Sequence, residues 1–219
     1  MAVSFDLFGT LVAVDRTADP AAAVGAALAE RDVEVPPDWA SAYRESHVDA
    51  PAGAEVPFPA HVNAALASRG VHAPGTAIRR AVVSAFDPEV ETRPGAVDAV
   101  RAAADRGPVC VLSNCSLGEL VSRVLIRSEI SRDELDAIVT SAGCGWRKPD
   151  RRAFAEAAAQ LDVPLASLWH VGDDPETDGR VVDRDGEGER GADAGPNQVL
   201  LADVPLTELP SYLEGRAWD

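Results

Sequence analysis

Nineteen of the twenty cationic side chains in this 219-residue sequence are arginine, and the one exception is Lys148, set in Gly145-Trp146-Arg147-Lys148-Pro149-Asp150. An ammonium is a compact point charge with three donors and can sit between two anionic oxygens, where the wide guanidinium fork is less suited. Other groups able to do chemistry stand at a few further points: Asp6 and Thr10, Ser113 and Asn114, Asp173 and Asp174. Carboxylates serve as nucleophiles or as ligands for hard cations, and hydroxyl and ammonium groups hold anionic oxygens. One such residue alone is usually a helix cap or a solvated charge. Several together point to a tight site for an anion.

Their positions follow from the elements around them. Short apolar runs at 3–7, 108–112, 137–140, 168–171 and 198–201 read as buried strands, and helical patterns at 94–105, 117–127, 149–161 and 206–213 lie between them. Strands alternating with helices predict an α/β fold with a doubly wound parallel sheet. In such a sheet the ligand crevice opens at the carboxyl ends of the strands, which is where these polar residues fall. Residues 16–90 break the alternation with helical segments near 21–30, 38–48, 60–68 and 76–86. They are expected to form a small helical cap, with residues 1–15 and 91–219 as the core. The Pro/Gly/Ala-rich piece 50–59 is expected to be a mobile link between cap helices. Residues 181–190 read as a solvated acidic loop, whose Asp-x-Asp-Gly beginning lacks the later glutamate of a calcium loop.

Phe5-Asp6-Leu7-Phe8-Gly9-Thr10-Leu11, Leu112-Ser113-Asn114, Lys148-Pro149-Asp150 and Gly172-Asp173-Asp174-Pro175-Glu176-Thr177-Asp178 resemble the four ordered motifs of the haloacid dehalogenase superfamily of hydrolases. The resemblance implies that Asp6 is a nucleophile forming a covalent aspartyl intermediate that water then hydrolyses. Ser113 and the amides near Leu7 and Asn114 would hold substrate oxygens, Lys148 would neutralise developing charge, and Thr10 would orient the loop. Magnesium would be bound by Asp6, the Phe8 carbonyl, Asp173 and Asp174, with Asp178 as an outer or alternative ligand. The acidic 181–190 segment looks like an insertion beside that metal site, ahead of the small-residue run 191–195.

Phe8 departs from the phosphatase pattern, in which an aspartate two residues after the nucleophile protonates the leaving alkoxide. Loss of a general acid removes about 10²–10⁴ in rate. Branches resembling phosphonoacetaldehyde hydrolases need a cap lysine, which is absent here, and ion-pumping ATPases need membrane spans. The 2-haloacid dehalogenases carry an aromatic residue at this position, because a halide leaves without a proton. They lack the acidic metal site, however, and hold the substrate carboxylate with a cap arginine, for which Arg44 is the candidate. His47 and His61 are read as surface positions that could replace the missing acid, and His170 as a packed strand residue. Trp146 and Arg147 flank Lys148 and are placed at the entrance, with packing beneath the loop as the alternative for Trp146. The expectation is a magnesium-dependent phosphatase of a small anionic metabolite. The alternatives are a metal-free dehalogenase and a non-catalytic binding module.

A net charge of −16 and a pI near 4.6 disfavour nucleic acid and anionic membranes as partners. No apolar run approaches a membrane span, and Cys110, Cys115 and Cys144 fit reduced thiols, so a cytoplasmic protein is expected. So dense a carboxylate surface resembles that of proteins from salt-loving cytoplasms. If that resemblance is physical, lowering salt from about 2 M to about 0.1 M lengthens the screening length, and the thermal midpoint should fall steeply. A midpoint indifferent to salt would contradict it.

Overall fold

The five apolar runs fold as the five strands of one parallel sheet in the computed structural model, which describes residues 1–15, 17–182 and 195–215. They are β1 (Ala2–Phe5), β4 (Val109–Ser113), β5 (Ala137–Thr140), β6 (Leu168–Gly172) and β7 (Asn197–Leu200), in the spatial order β5-β4-β1-β6-β7. Val3, Phe5, Val109, Val111 and Val171 join one buried cluster, while Ala2, Cys110, Leu112, Val139 and Leu168 join another on the opposite face. Burial on both faces explains why these strands read as continuous apolar runs instead of alternating ones. From central β1 the chain order runs outward through β4 on one side and through β6 on the other. The resulting switch point lies directly beyond Phe5, at Asp6.

Core helices α5 (Ala96–Ala104), α6 (Gly118–Arg127), α8 (Arg151–Gln160) and α9 (Leu209–Glu214) cover the sheet, and the short α7 (Ser141–Cys144) follows β5. Asp150 caps α8 by accepting from the Arg152 amide, as Thr140 caps α7 by accepting from Gly143. The insert folds as α1 (Pro20–Ala29), α2 (Trp39–Arg44), α3 (Phe58–Ala67) and α4 (Gly75–Ala85). Val24, Leu28, Trp39, Val62, Leu66, Ile78 and Val82 are buried within it, and Trp39 Nε1 donates to the Ala21 carbonyl at 2.8 Å.

Three expectations change. An antiparallel ribbon of β2 (Val12–Val14) and β3 (Val90–Thr92) joins the two chain crossings of the insert, and its three-residue strands are too short to show a period. The second insert helix stops at Arg44 instead of 48 because its last carbonyls find side-chain donors. Arg44 Nη1 donates to Ala40 O at 3.0 Å, His47 Nε2 to Ala42 O at 2.7 Å and His61 Nε2 to Tyr43 O at 2.8 Å. Thirdly, the 50–59 link is anchored to the core. Glu55 N donates to Gly145 O, Arg147 N to Gly53 O and Phe58 N to Ser116 O. The Glu55 side chain, 3% exposed, accepts from Ser116 Oγ at 2.9 Å, Arg147 Nη1 at 2.8 Å and Ser141 Oγ.

The expected acidic loop lies outside the described residues from 183 on, as does most of the 191–195 run. Cys110 and Cys115 are buried free thiols and Cys144 is a half-buried one. Among the described residues no helix is long and apolar enough to cross a membrane. Glu55→Ala leaves buried hydroxyls and Arg147 without their acceptor, so it should destabilise the chain by about 1–3 kcal/mol. It should also speed proteolysis between α2 and α3, read by denaturant titration and limited digestion. Unchanged stability and digestion would show the anchor to be idle.

Candidate active site

Lys148 is the centre of the site. Its Nζ lies 2.7 Å from Asp6 Oδ1 and 2.7 Å from Asp178 Oδ1, with only 3% of the residue exposed. The main chain that carries it is held by Asn114, whose Oδ1 accepts from Lys148 N at 2.7 Å while its Nδ2 donates to Lys148 O at 2.9 Å. The amide at the end of β4 therefore positions the lysine. Both polar ends of the Asn114 side chain are thus engaged, and the residue also borders the adjacent cavity, where its main-chain amide was expected to meet substrate.

Asp178 is built into the sheet end. Gly172 closes β6, and a Cβ there would overlap the Asp178 carboxyl, so only glycine lets that carboxylate pack against the strand. Asp178 Oδ2 accepts from the Asp174 amide at 3.1 Å, and Oδ1 accepts from His170 Nε2 at 3.1 Å as well as from Lys148. His170 Nδ1 lies 2.8 Å from Ser4 Oγ, its register partner on β1. Donation to Asp178 assigns the proton to Nε2 and leaves Nδ1 to accept from Ser4. Burial and the Lys148 ammonium push the His170 ring down to about 4, so it is neutral. Burial alone would raise the Asp178 carboxyl, but the His170 hydrogen bond and Lys148 hold it well below the ordinary range.

The loop after β1 is tightly wound. Gly9 N donates to Val12 O, and Leu11 N and Val12 N both donate to Leu7 O. Gly9 has φ +95°, a left-handed conformation, and a Cβ there would meet the Asp173 carboxyl. Thr10 Oγ1 donates to Asp173 Oδ1 at 2.7 Å, and the Arg93 guanidinium donates to the Gly9 carbonyl. Oxygens of Asp6, Asp173 and Asp178 lie within 4.8 Å of one another. Both Asp178 oxygens already accept hydrogen bonds, whereas among the described residues Asp6 and Asp173 each have only Oδ1 engaged. Asp174 is not part of this group: its Oδ1 accepts from the Glu176 amide in an exposed turn. Ser113 Oγ is buried at the end of β4 with no partner among the described residues, as fits a hydroxyl kept for a bound anion.

Next to this polar group a cavity of about 470 Å³ opens between insert and core, lined in part by Phe8, Tyr43, Phe58, Phe86, Leu117 and Leu120. Arg44 is not brought to it; the side chain is exposed and returns to its own helix. His47 and His61 are half-buried, unlike the surface positions expected, and each Nε2 proton is given to a carbonyl of α2. Trp146 lies beneath the Arg152 guanidinium and Arg147 pairs with Glu55, so both pack around the loop and neither lines the cavity.

The model for haloacid dehalogenase-like hydrolases, described as a hydrolase family, matches residues 1–180. The chain is a haloacid dehalogenase-like hydrolase. None of the curated proteins matches its sequence. Among solved structures, this hydrolase is similar to 2-haloacid dehalogenase from Pseudomonas syringae pv. tomato DC3000, with a TM-score of 0.60 and 19% identity over 99% of each chain. It is also similar to CbbY from Rhodobacter sphaeroides in complex with xylulose-(1,5)-bisphosphate, with a TM-score of 0.55 and 20% identity over 95% of each chain. The phosphate complex of the same protein gives a TM-score of 0.56. These likenesses share the sheet and helical arrangement of the present hydrolase.

Burial raises the Asp6 carboxyl to about 6 against the opposing effect of Lys148, with Asp178 and Asp173 raising it further. Between its ordinary value of 3.8 and about 6 the folded chain then holds a proton that the unfolded chain has lost, so stability falls as pH rises through that window. In chelator-treated protein, Asp6→Asn should therefore stabilise the fold at about pH 7.5, by up to about 3 kcal/mol. The gain should vanish below about pH 4, where both states are protonated. Equal melting of the two chains at neutral pH would show that Asp6 carries no such penalty.

Proposed function

We propose that this hydrolase is a magnesium-dependent phosphatase of a small anionic metabolite, acting through an Asp6 aspartyl-phosphate. The observation that carries the reading is the charge balance of the site. Three carboxylates stand together and one ammonium, paired with two of them, offsets their charge, so a phosphate brought to Asp6 and Ser113 needs a divalent cation to offset the excess negative charge. The donor set suits a hard dication: all its members are oxygens. Asp173 would hold the ion through its free oxygen, with Asp6 Oδ1 and the Phe8 carbonyl beside it and Asp178 supporting from outside, which keeps Asp6 Oδ2 for the reaction. When bound, magnesium supplies charge neutralisation at the phosphoryl oxygens.

The chain's own residues supply the remaining steps. Lys148 fixes Asp6 through Oδ1 and leaves Oδ2 to form the bond to phosphorus. As that bond forms, the bond to the leaving oxygen breaks. Ser113 Oγ donates to a phosphoryl oxygen, and Lys148 offsets charge gathering near Asp6. Asp178, His170 and Ser4 hold the ammonium in place. Water then attacks the phosphorus, releases inorganic phosphate and restores the Asp6 carboxylate. Bound phosphate and a sugar bisphosphate in the similar CbbY structures are consistent with a small anionic ligand.

The dehalogenase reading draws support from Phe8 and from the P. syringae structure. Against it, no lysine or arginine among the described residues lines the cavity to hold the substrate carboxylate. Hydrolysis of p-nitrophenyl phosphate tests the choice, since its activated leaving group needs little help from an acid. Phosphate release should require magnesium, stop with chelator and fall by at least about 10³-fold in Asp6→Asn. Halide release from a 2-haloacid that persists in chelator would instead establish the dehalogenase.

A further inference from the structure

We infer, resting on the phosphatase reading, that the alcohol half of the substrate is an apolar phenol, so that the enzyme takes aryl phosphates in preference to phosphorylated sugars, polyols or hydroxy acids. The cavity wall and the chemistry of the leaving group lead to this independently.

Four aromatic rings, Phe8, Tyr43, Phe58 and Phe86, share the wall with Leu117 and Leu120. Three polar side chains on its core side are already engaged. Asn114 clamps the Lys148 main chain, Cys115 Sγ donates to Leu117 O at 3.1 Å, and Ser116 Oγ donates to Glu55 Oε1 at 2.9 Å. Among the described lining residues there is no cation, and the charged one is the carboxylate of Asp15. A second phosphate or a carboxylate entering here would lose its water and face like charge. Sugar hydroxyls would lose theirs with few free partners. An aromatic body loses little water and gains ring contacts on several sides.

The leaving group meets Phe8, which has no proton to give. When Asp6 Oδ2 bonds to phosphorus and the bond from phosphorus to the ester oxygen breaks, the electron pair stays on that oxygen. A phenol of pKa about 10 lets it depart as phenolate. An aliphatic alkoxide, whose parent acid is nearly as weak as water at about 15.7, does not depart readily without an acid. In the second half-reaction water adds to phosphorus as the Asp6–phosphorus bond breaks. The proton shed by water balances the phenolate, so the products are the phenol and inorganic phosphate. Phe8 thus forms part of the aromatic wall at the position where an acid would be redundant.

The test compares 1-naphthyl phosphate, acetyl phosphate, glycerol 3-phosphate and glucose 6-phosphate on the full chain with magnesium. Naphthyl phosphate should exceed both alkyl esters in kcat/KM by at least about 100-fold, for want of an acid. It should exceed acetyl phosphate, which leaves readily but has no apolar body, by at least about 10-fold. Independently of turnover, 1-naphthol should bind saturably to the chelator-treated Asp6→Asn chain, and Leu120→Asp should weaken that binding by at least about 10-fold. Melting of Leu120→Asp serves as the folding control, and the substrate comparison on the native chain stands whether or not this variant folds. Magnesium- and Asp6-dependent cleavage of p-nitrophenyl phosphate without naphthyl preference, or without naphthol binding, would overturn the aryl assignment and leave the phosphatase standing. Naphthol binding with no phosphate ester cleaved would overturn the phosphatase reading, and the aryl phosphate assignment with it.

Discussion

The site depends on one buried ammonium shared by two carboxylates. Removing Lys148 from water is unfavourable, and so is removing Asp6 and Asp178; the three are tolerated because their charges offset one another at hydrogen-bond distance. The surrounding features follow from this constraint. The Lys148 main chain must be held, and Asn114 holds it at two points. Asp178 needs room at the sheet end and a second donor, which Gly172 and His170 provide. A polar line from Ser4 through His170 and Asp178 to Lys148 thereby connects the buried sheet face to the nucleophile.

Strands and family motifs were legible because they depend on short-range pattern. Five apolar runs and four polar clusters at their ends are local facts, and a parallel sheet with a switch point places those ends together. Side-chain roles that depend on distant partners were much less legible. Asn114 has no sequence neighbour that reveals its attachment to Lys148, and Glu55 lies in a stretch whose composition suggests a loose link, although its partners are Ser116, Ser141 and Arg147. His170 carried one overlooked signal. A polar residue inside a fully buried strand needs a hydrogen-bond partner, and Ser4 sits in the matching strand.

Helix ends in the insert show the same limit. Periodicity carries the second insert helix past Arg44, but a helix stops where its terminal carbonyls find better donors, and one of those donors, His61, comes from another helix. Asp174 and Arg44 illustrate the converse. Each has the residue type its motif or position suggests, yet local geometry turns the first to a turn amide and the second to its own helix.

The near-exclusive use of arginine among the cationic side chains has a practical consequence of its own. With one lysine in the chain, and that one enclosed between carboxylates, no lysine is presented to amine-directed reagents or acetyl donors while the fold is intact. Acylation of the ε-amine then reports opening of the fold around the active centre, and the chain carries its own single-site sensor of that event.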